Sequence, residues 1–147
     1  MKKISFSVSL FILAAIIFYA CKEEEISTQQ FVQNHLIGRW PHKRTVNITK
    51  ENGVEIKNDT ILYGVGSNSL PIDTVQFLAD GSCIKNGDTI KYTIDGEGKN
   101  IIYNKDAIDD TWFIQYLRLT SVLLTQEKTE KKGASTFIYY NEELLIK

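Results

Sequence analysis

The sequence predicts an all-β chain folded as an antiparallel up-and-down β-barrel of about eight strands behind one short N-terminal helix. Three observations predict it. Tight-turn signals recur at fairly even spacing, at Glu51-Asn52-Gly53, Asp80-Gly81, Asn86-Gly87 and Asp95-Gly96, and such residues accept the positive φ that short hairpins demand. Between them lie short runs rich in Ile, Val, Thr, Tyr and Phe with period-two alternation, so that Val75, Phe77 and Ala79 share one face and Ile90, Tyr92 and Ile94 another; half-buried strands require this. Helical spacing, finally, stops at Gly38. Consecutive hairpins make a meander, and closing it removes the exposed edges that invite aggregation. A two-sheet sandwich is the alternative.

At the N-terminus Lys2 and Lys3 precede an apolar stretch over residues 4–20, which ends in the small Ala20 before Cys21. A positive start, an apolar middle and a small residue at the cut make a secretory signal. This largely apolar stretch of 17 residues also reaches the lower limit for a spanning helix, so an uncleaved membrane anchor is the other reading. Either way the positive-inside rule leaves Lys2 and Lys3 in the cytoplasm and exports the chain beyond residue 21. The residues around Cys21 resemble the lipobox of bacterial lipoproteins, with Phe18 and Tyr19 in the looser form found in the Bacteroidetes; Lys22-Glu23-Glu24-Glu25 resembles the signal that sends Bacteroidetes lipoproteins to the cell surface. The resemblance implies that residues 1–20 are removed, that Cys21 carries acyl chains (palmitate among them), and that the protein is held at the outer membrane or cell surface.

Removal of residues 1–20 takes the formal charge from −1 to −3. No basic surplus remains to attract nucleic acid. The mature chain is the size of one domain with a real core. Cys83 is then the single remaining thiol, so no internal disulfide forms and Cys83 reads as a small buried or edge residue. Residues 22–30 are polar and aperiodic, a flexible tether reaching on the order of 15 to 20 Å. The barrel domain is expected over residues 31–147. Phe31, Val32, Leu36 and Ile37 recur at helical spacing and predict one to three turns ending at Gly38.

Strands are expected near 39–50, 53–63, 73–79, 82–86, 89–95, 99–104, 111–119, 121–128 and 135–141. The run from Trp112 to Leu119 breaks alternation around Gln115 and Tyr116, as a bulge would. Residues 64–71 hold two glycines, two serines and an asparagine and read as a loop. Pro41 fits an edge or bulge position.

On this framework Leu36-Ile37-Gly38-Arg39-Trp40 resembles the opening motif of lipocalins, a short helix leading into Gly-x-Trp on the first strand. Phe77 to Gly81, Tyr92-Thr93-Ile94, Trp112 to Leu117, Leu123-Leu124-Thr125 and Tyr139-Tyr140 continue the likeness. Over about residues 31–141 the chain resembles the lipocalin-like domain of Bacteroidetes lipoproteins. The resemblance implies an eight-stranded barrel in which Trp40, beside Gly38, plugs one end while the other opens on a cavity. Lipocalins often pack an arginine over this tryptophan, yet residues 133–147 contain none; Arg39 and Arg118 are the substitutes in view.

Catalytic patterns are missing from the sequence. His35 and His42 have no partner at metal-ligand spacing and read as surface residues. Asp95 to Asn100 resembles a calcium loop, but Lys99 stands where an oxygen ligand is needed, and a hairpin turn explains it. Gly64-Val65-Gly66-Ser67 lacks the Lys and helix of a phosphate loop. No metal, cofactor or nucleophile–base set is expected, and the chain does not read as an enzyme. Asp-Thr-apolar triplets at Thr60, Thr74 and Thr89 look like Bacteroidetes O-glycosylation acceptors. Inward aromatic residues could line a small-molecule pocket, and Phe77, Tyr92, Tyr103, Trp112 and Tyr139 are the candidate ligand contacts. Plain strand packing is the other account of them. The functional expectation is therefore a lipid-anchored envelope protein whose barrel binds a small, partly apolar molecule. Its competitor is a filled barrel serving as an interaction or accessory module of an outer-membrane complex.

Overall fold

The computed structural model describes residues 27–64, 72–105 and 108–147. The leader, Cys21, most of the tether and residues 65–71 of the expected loop lie outside the described residues. Among those described, the helix α1 (Thr28–Leu36) is followed by nine strands: β1 (Gly38–Glu51), β2 (Val54–Leu62), β3 (Thr74–Phe77), β4 (Ser82–Lys85), β5 (Asp88–Ile94), β6 (Asn100–Lys105), β7 (Ile108–Leu117), β8 (Ser121–Lys132) and β9 (Ser135–Ile146). All neighbours pair antiparallel, and β1 pairs with β9 to close the barrel. The predicted closed meander is what forms.

α1 starts three residues inside the expected tether, because Ser27 caps it: its hydroxyl accepts from the Gln30 N–H at 3.2 Å. The Gln29 amide fastens the helix to the barrel by donating to the Ile94 carbonyl at 2.6 Å. Val32 and Leu36 turn inward and are buried. Phe31, expected on the same face, is half exposed and packs on His35 instead.

β2 and β3 lie end to end along one edge of β1. β2 pairs with residues 44–51 and β3 with residues 38–41. Two backbone bonds seal the junction, from the His42 N–H to the Asp73 carbonyl at 2.8 Å and from the Tyr63 N–H to the Lys43 carbonyl at 3.2 Å. The two strands are thus two parts of one barrel stave, and the barrel has eight staves. Pro41 sits opposite Thr74 on β3, while pairing with β9 begins only at His42. Its missing N–H therefore costs no ladder bond. The bulge expected near Gln115 is present as a register shift between Ile114 and Tyr116.

The staves differ in height. β1, β8 and β9 have 12 to 14 residues, whereas β3 and β4 have four each. β7 and β8 pair no further than Phe113 opposite Thr125. Beyond that point β8, β9, β1 and β2 continue as a four-stranded sheet above the low wall of β3 to β7. At the other end Leu36, Trp40, Val75, Phe77, Ile101, Val122, Leu124 and Leu145 are wholly buried. Each such side chain contributes about 1.5 to 3 kcal/mol when removed from water.

Candidate functional site

Trp40 stops the closed end. Its indole N–H donates to the Leu36 carbonyl at 2.6 Å, which ties the plug to the last turn of α1. The Lys147 ammonium stands 4.1 Å from the centre of the Trp40 ring. It takes the place for which Arg39 and Arg118 were considered; Arg118 lies over Tyr116 instead. Gly38 has φ +128°, and a Cβ there would meet the Lys147 Cε at 3.5 Å. Gly38 and Trp40 thus sit at the barrel end.

Following each inward face toward the open end, the side chains change from apolar to charged. Cys83 gives way to Lys85, Tyr92 and Ile90 to Asp88, Tyr103 to Lys105, Trp112 to Asp110, Leu124 to Gln126 and Lys128, and Leu145 to Glu143. These residues build a cup with a volume of about 410 Å³, lined by Lys85, Asn86, Asp88, Ile90, Tyr103, Lys105, Ile108, Asp110 and Lys128.

The cup has a charged floor. Lys85 donates to both Glu143 oxygens at 2.8 and 2.9 Å, and its ammonium lies 4.9 Å from the Trp112 ring centre and 5.2 Å from that of Tyr103. His42 Nε2 is 3.6 Å from Glu143 and Nδ1 is 3.8 Å from Asp73. Burial pushes the Glu143 carboxyl up, but His42 and Lys85 outweigh it and hold the group below its ordinary value. His42 was expected at the surface and is 5% exposed. The correction has a physical reason: alternation on β1 puts His42 in phase with Trp40, and two carboxylates from distant parts of the chain compensate its polarity.

The wall contains a second node. Where β7 and β8 separate, Asp110 accepts from the Trp112 indole at 2.9 Å, the Gln126 amide at 2.7 Å and Lys128 at 2.7 Å. Burial raises this carboxyl, and the three donors more than offset it, leaving it below the usual range. Side chains thereby bridge staves whose backbones have parted. At the rim Lys105 pairs with Asp88 at 2.5 Å. Three lysines are thus set against Glu143, Asp110 and Asp88, and the cup carries no net formal charge. The Tyr103 hydroxyl, in a side chain 3% exposed, has no hydrogen-bond partner among the described residues.

Of the five candidate ligand contacts, Tyr103 lines the cup. Trp112 stands behind it under Lys85. Phe77 and Tyr92 lie deeper, packed edge to face at 5.1 Å, with the Tyr92 hydroxyl donating to the Leu78 carbonyl. Tyr139 is away from the cup, stacked on Phe137 in the projecting sheet. Cys21 is outside the described residues. Sequence reasoning assigned Lys85, Asp110 and Glu143 to no site, although each continues an apolar period-two face. Cys83 is buried, and burial raises its thiol to about 11, so it is inert at neutral pH. Asp95 closes a hairpin, accepting from the Lys99 N–H at 2.7 Å and the Asn100 amide at 2.6 Å.

Among the described residues no group of three His, Cys, Asp or Glu side chains is placed to hold a metal ion, and no helix is long and apolar enough to cross a membrane. No protein-family model matches the chain, and no curated protein matches it.

Proposed function

We propose that this protein is a lipid-anchored envelope protein of the lipocalin-like kind seen in Bacteroidetes lipoproteins, held through Cys21 at the outer membrane or cell surface. Its barrel binds a small, partly apolar molecule in the cup. The observation that carries the reading is the asymmetry of the barrel: one end is filled by Trp40 and α1, and the other opens on about 410 Å³. Pockets of this size suit small ligands. The chemistry of the lining narrows the class. Every lysine in the cup already faces a carboxylate, so a ligand with strong net charge gains little, and a neutral or zwitterionic molecule fits best. Ile90 and Ile108 supply its apolar contacts, with Tyr103 in the wall behind them.

Native mass spectrometry of the protein from its own cells tests this. A retained small molecule of neutral or zwitterionic character is the expected result. Recovery of partner chains alone would favour the accessory-module reading, which the projecting sheet supports. For the anchor, Cys21→Ala should abolish metabolic labelling by palmitate, and persistent labelling would sink the lipoprotein assignment.

A further inference from the structure

We infer that β2 is a self-association edge, through which two copies of this chain join their projecting sheets into one eight-stranded antiparallel sheet. Among the described residues β2 pairs with β1 alone. It is nine residues long, contains no proline, and exposes Val54, Ile56 and Leu62 at 66%, 55% and 51%. A long apolar edge of this kind offers its outward N–H and C=O groups to another strand.

The sequence of β2 selects its partner. Two copies of one strand in a continuous antiparallel sheet are related by a two-fold axis, and the residue on that axis faces its own copy. β2 is bulged at Ile56, since Thr49 pairs with Lys57 and the next residue, Lys50, pairs with Glu55; its regular run is residues 57–62, and Asn58 on the axis lies within that run. Lys57 then stands opposite the second copy's Asp59, and Asp59 opposite the second copy's Lys57. Opposite charges directly across a sheet are favourable and like charges are not. Centring on Lys57 or on Asp59 sets that residue against itself. Charge thus favours one register, and it favours a second copy over an unrelated strand. Within one copy Lys57 and Asp59 already share a face, 2.8 Å apart and 64% and 49% exposed. They can meet the second copy without moving the backbone.

The full-length chain in detergent provides the test, with the parent chain as control for Cys21 and Cys83. Asn58→Cys should give a disulfide-linked dimer on mild oxidation, since residues opposite in an antiparallel pair lie about 4.5 to 5.5 Å apart at Cα. Lys57→Cys should not, because its copy is offset by two residues and lies roughly 8 Å away. In the chain with native thiols, Lys57→Asp and Asp59→Lys should each weaken association by about tenfold. Mixing those two variants restores both charge pairs and should restore the dimer. Circular dichroism like that of the parent shows that each variant is folded. Folded N58C without cross-linking, K57C cross-linking equally well, or a K57D and D59K mixture that stays dissociated would each overturn the inference.

Discussion

Replacing Glu143 by Gln removes the one charge that both Lys85 and His42 share. The side chain keeps its size, so the loss is electrostatic. Glu143 is 8% exposed, and the Lys85 side chain 17%; breaking such a buried pair from one side leaves an uncompensated charge and costs about 3 to 5 kcal/mol. The low end applies, because the Trp112 and Tyr103 rings still face the ammonium and the cup admits water to it. A domain of about 120 ordered residues unfolds with an entropy of about 0.25 kcal/mol/K, so about 3 kcal/mol lowers Tm by roughly 12 °C. The double variant Lys85→Met with Glu143→Leu strands no charge of that pair and should recover most of the loss, His42 keeping Asp73 as its carboxylate. Thermal unfolding followed by tryptophan fluorescence reads both. An E143Q cost below about 1 kcal/mol, or a double variant no more stable than the single one, would refute the idea of a stranded buried charge.

The same groups set the remaining expectations. Glu143 and Asp110 are held below their ordinary values of 4.5 and 3.8, so their contribution is complete above those values and is lost as pH falls through the lower folded ones; Tm should drop on acidification below about pH 4.5, and a flat Tm from pH 5 to 3 would contradict the paired assignment. Cys83 should resist iodoacetamide at pH 8 in the folded protein and react fully once denatured, and rapid alkylation of the native protein would show that it is not buried. Trp40→Leu removes the plug and its bond to Leu36 and should cost about 3 kcal/mol or more in urea titration, whereas Lys147→Ala, which removes a cation over the ring, should cost about 1 kcal/mol; equal losses would mean that the ring's own packing contributes little.

What the sequence made legible divides along the distance between partners. Alternation and Asn-Gly or Asp-Gly turns are local, and from them nine strands, the bulge near Gln115 and the closed meander could all be read. The splitting of one stave into β2 and β3 could not, since it depends on where each strand meets β1. His42 shows the same limit. Its phase with Trp40 marks it as inward, but a lone histidine beside a proline reads as surface until Glu143 and Asp73 arrive from elsewhere in the fold. For the cup, aromatic residues drew attention to Phe77 and Tyr92, which are structural, while Lys85 and Asp110 were assigned to no site. Extending each period-two face by one more residue would have found them. Six faces turning charged at the same end of a barrel mark a mouth, and that signal is present in the sequence.

The position of α1 carries a consequence for orientation. The helix lies across the closed end, held by Gln29 on the Ile94 carbonyl and pressed so close to Gly98 that a Cβ there would come within 2.9 Å of Thr28. The chain therefore enters the barrel at a fixed point on its blind side. Residues 22–26 separate Cys21 from Ser27, and at no more than about 3.5 Å per residue they span about 20 Å at most. On the proposed anchor the plugged end faces the bilayer like the foot of a goblet, and the bowl looks outward. With that anchor, a molecule reaching the cup would arrive from the aqueous side and not from the lipid beneath it.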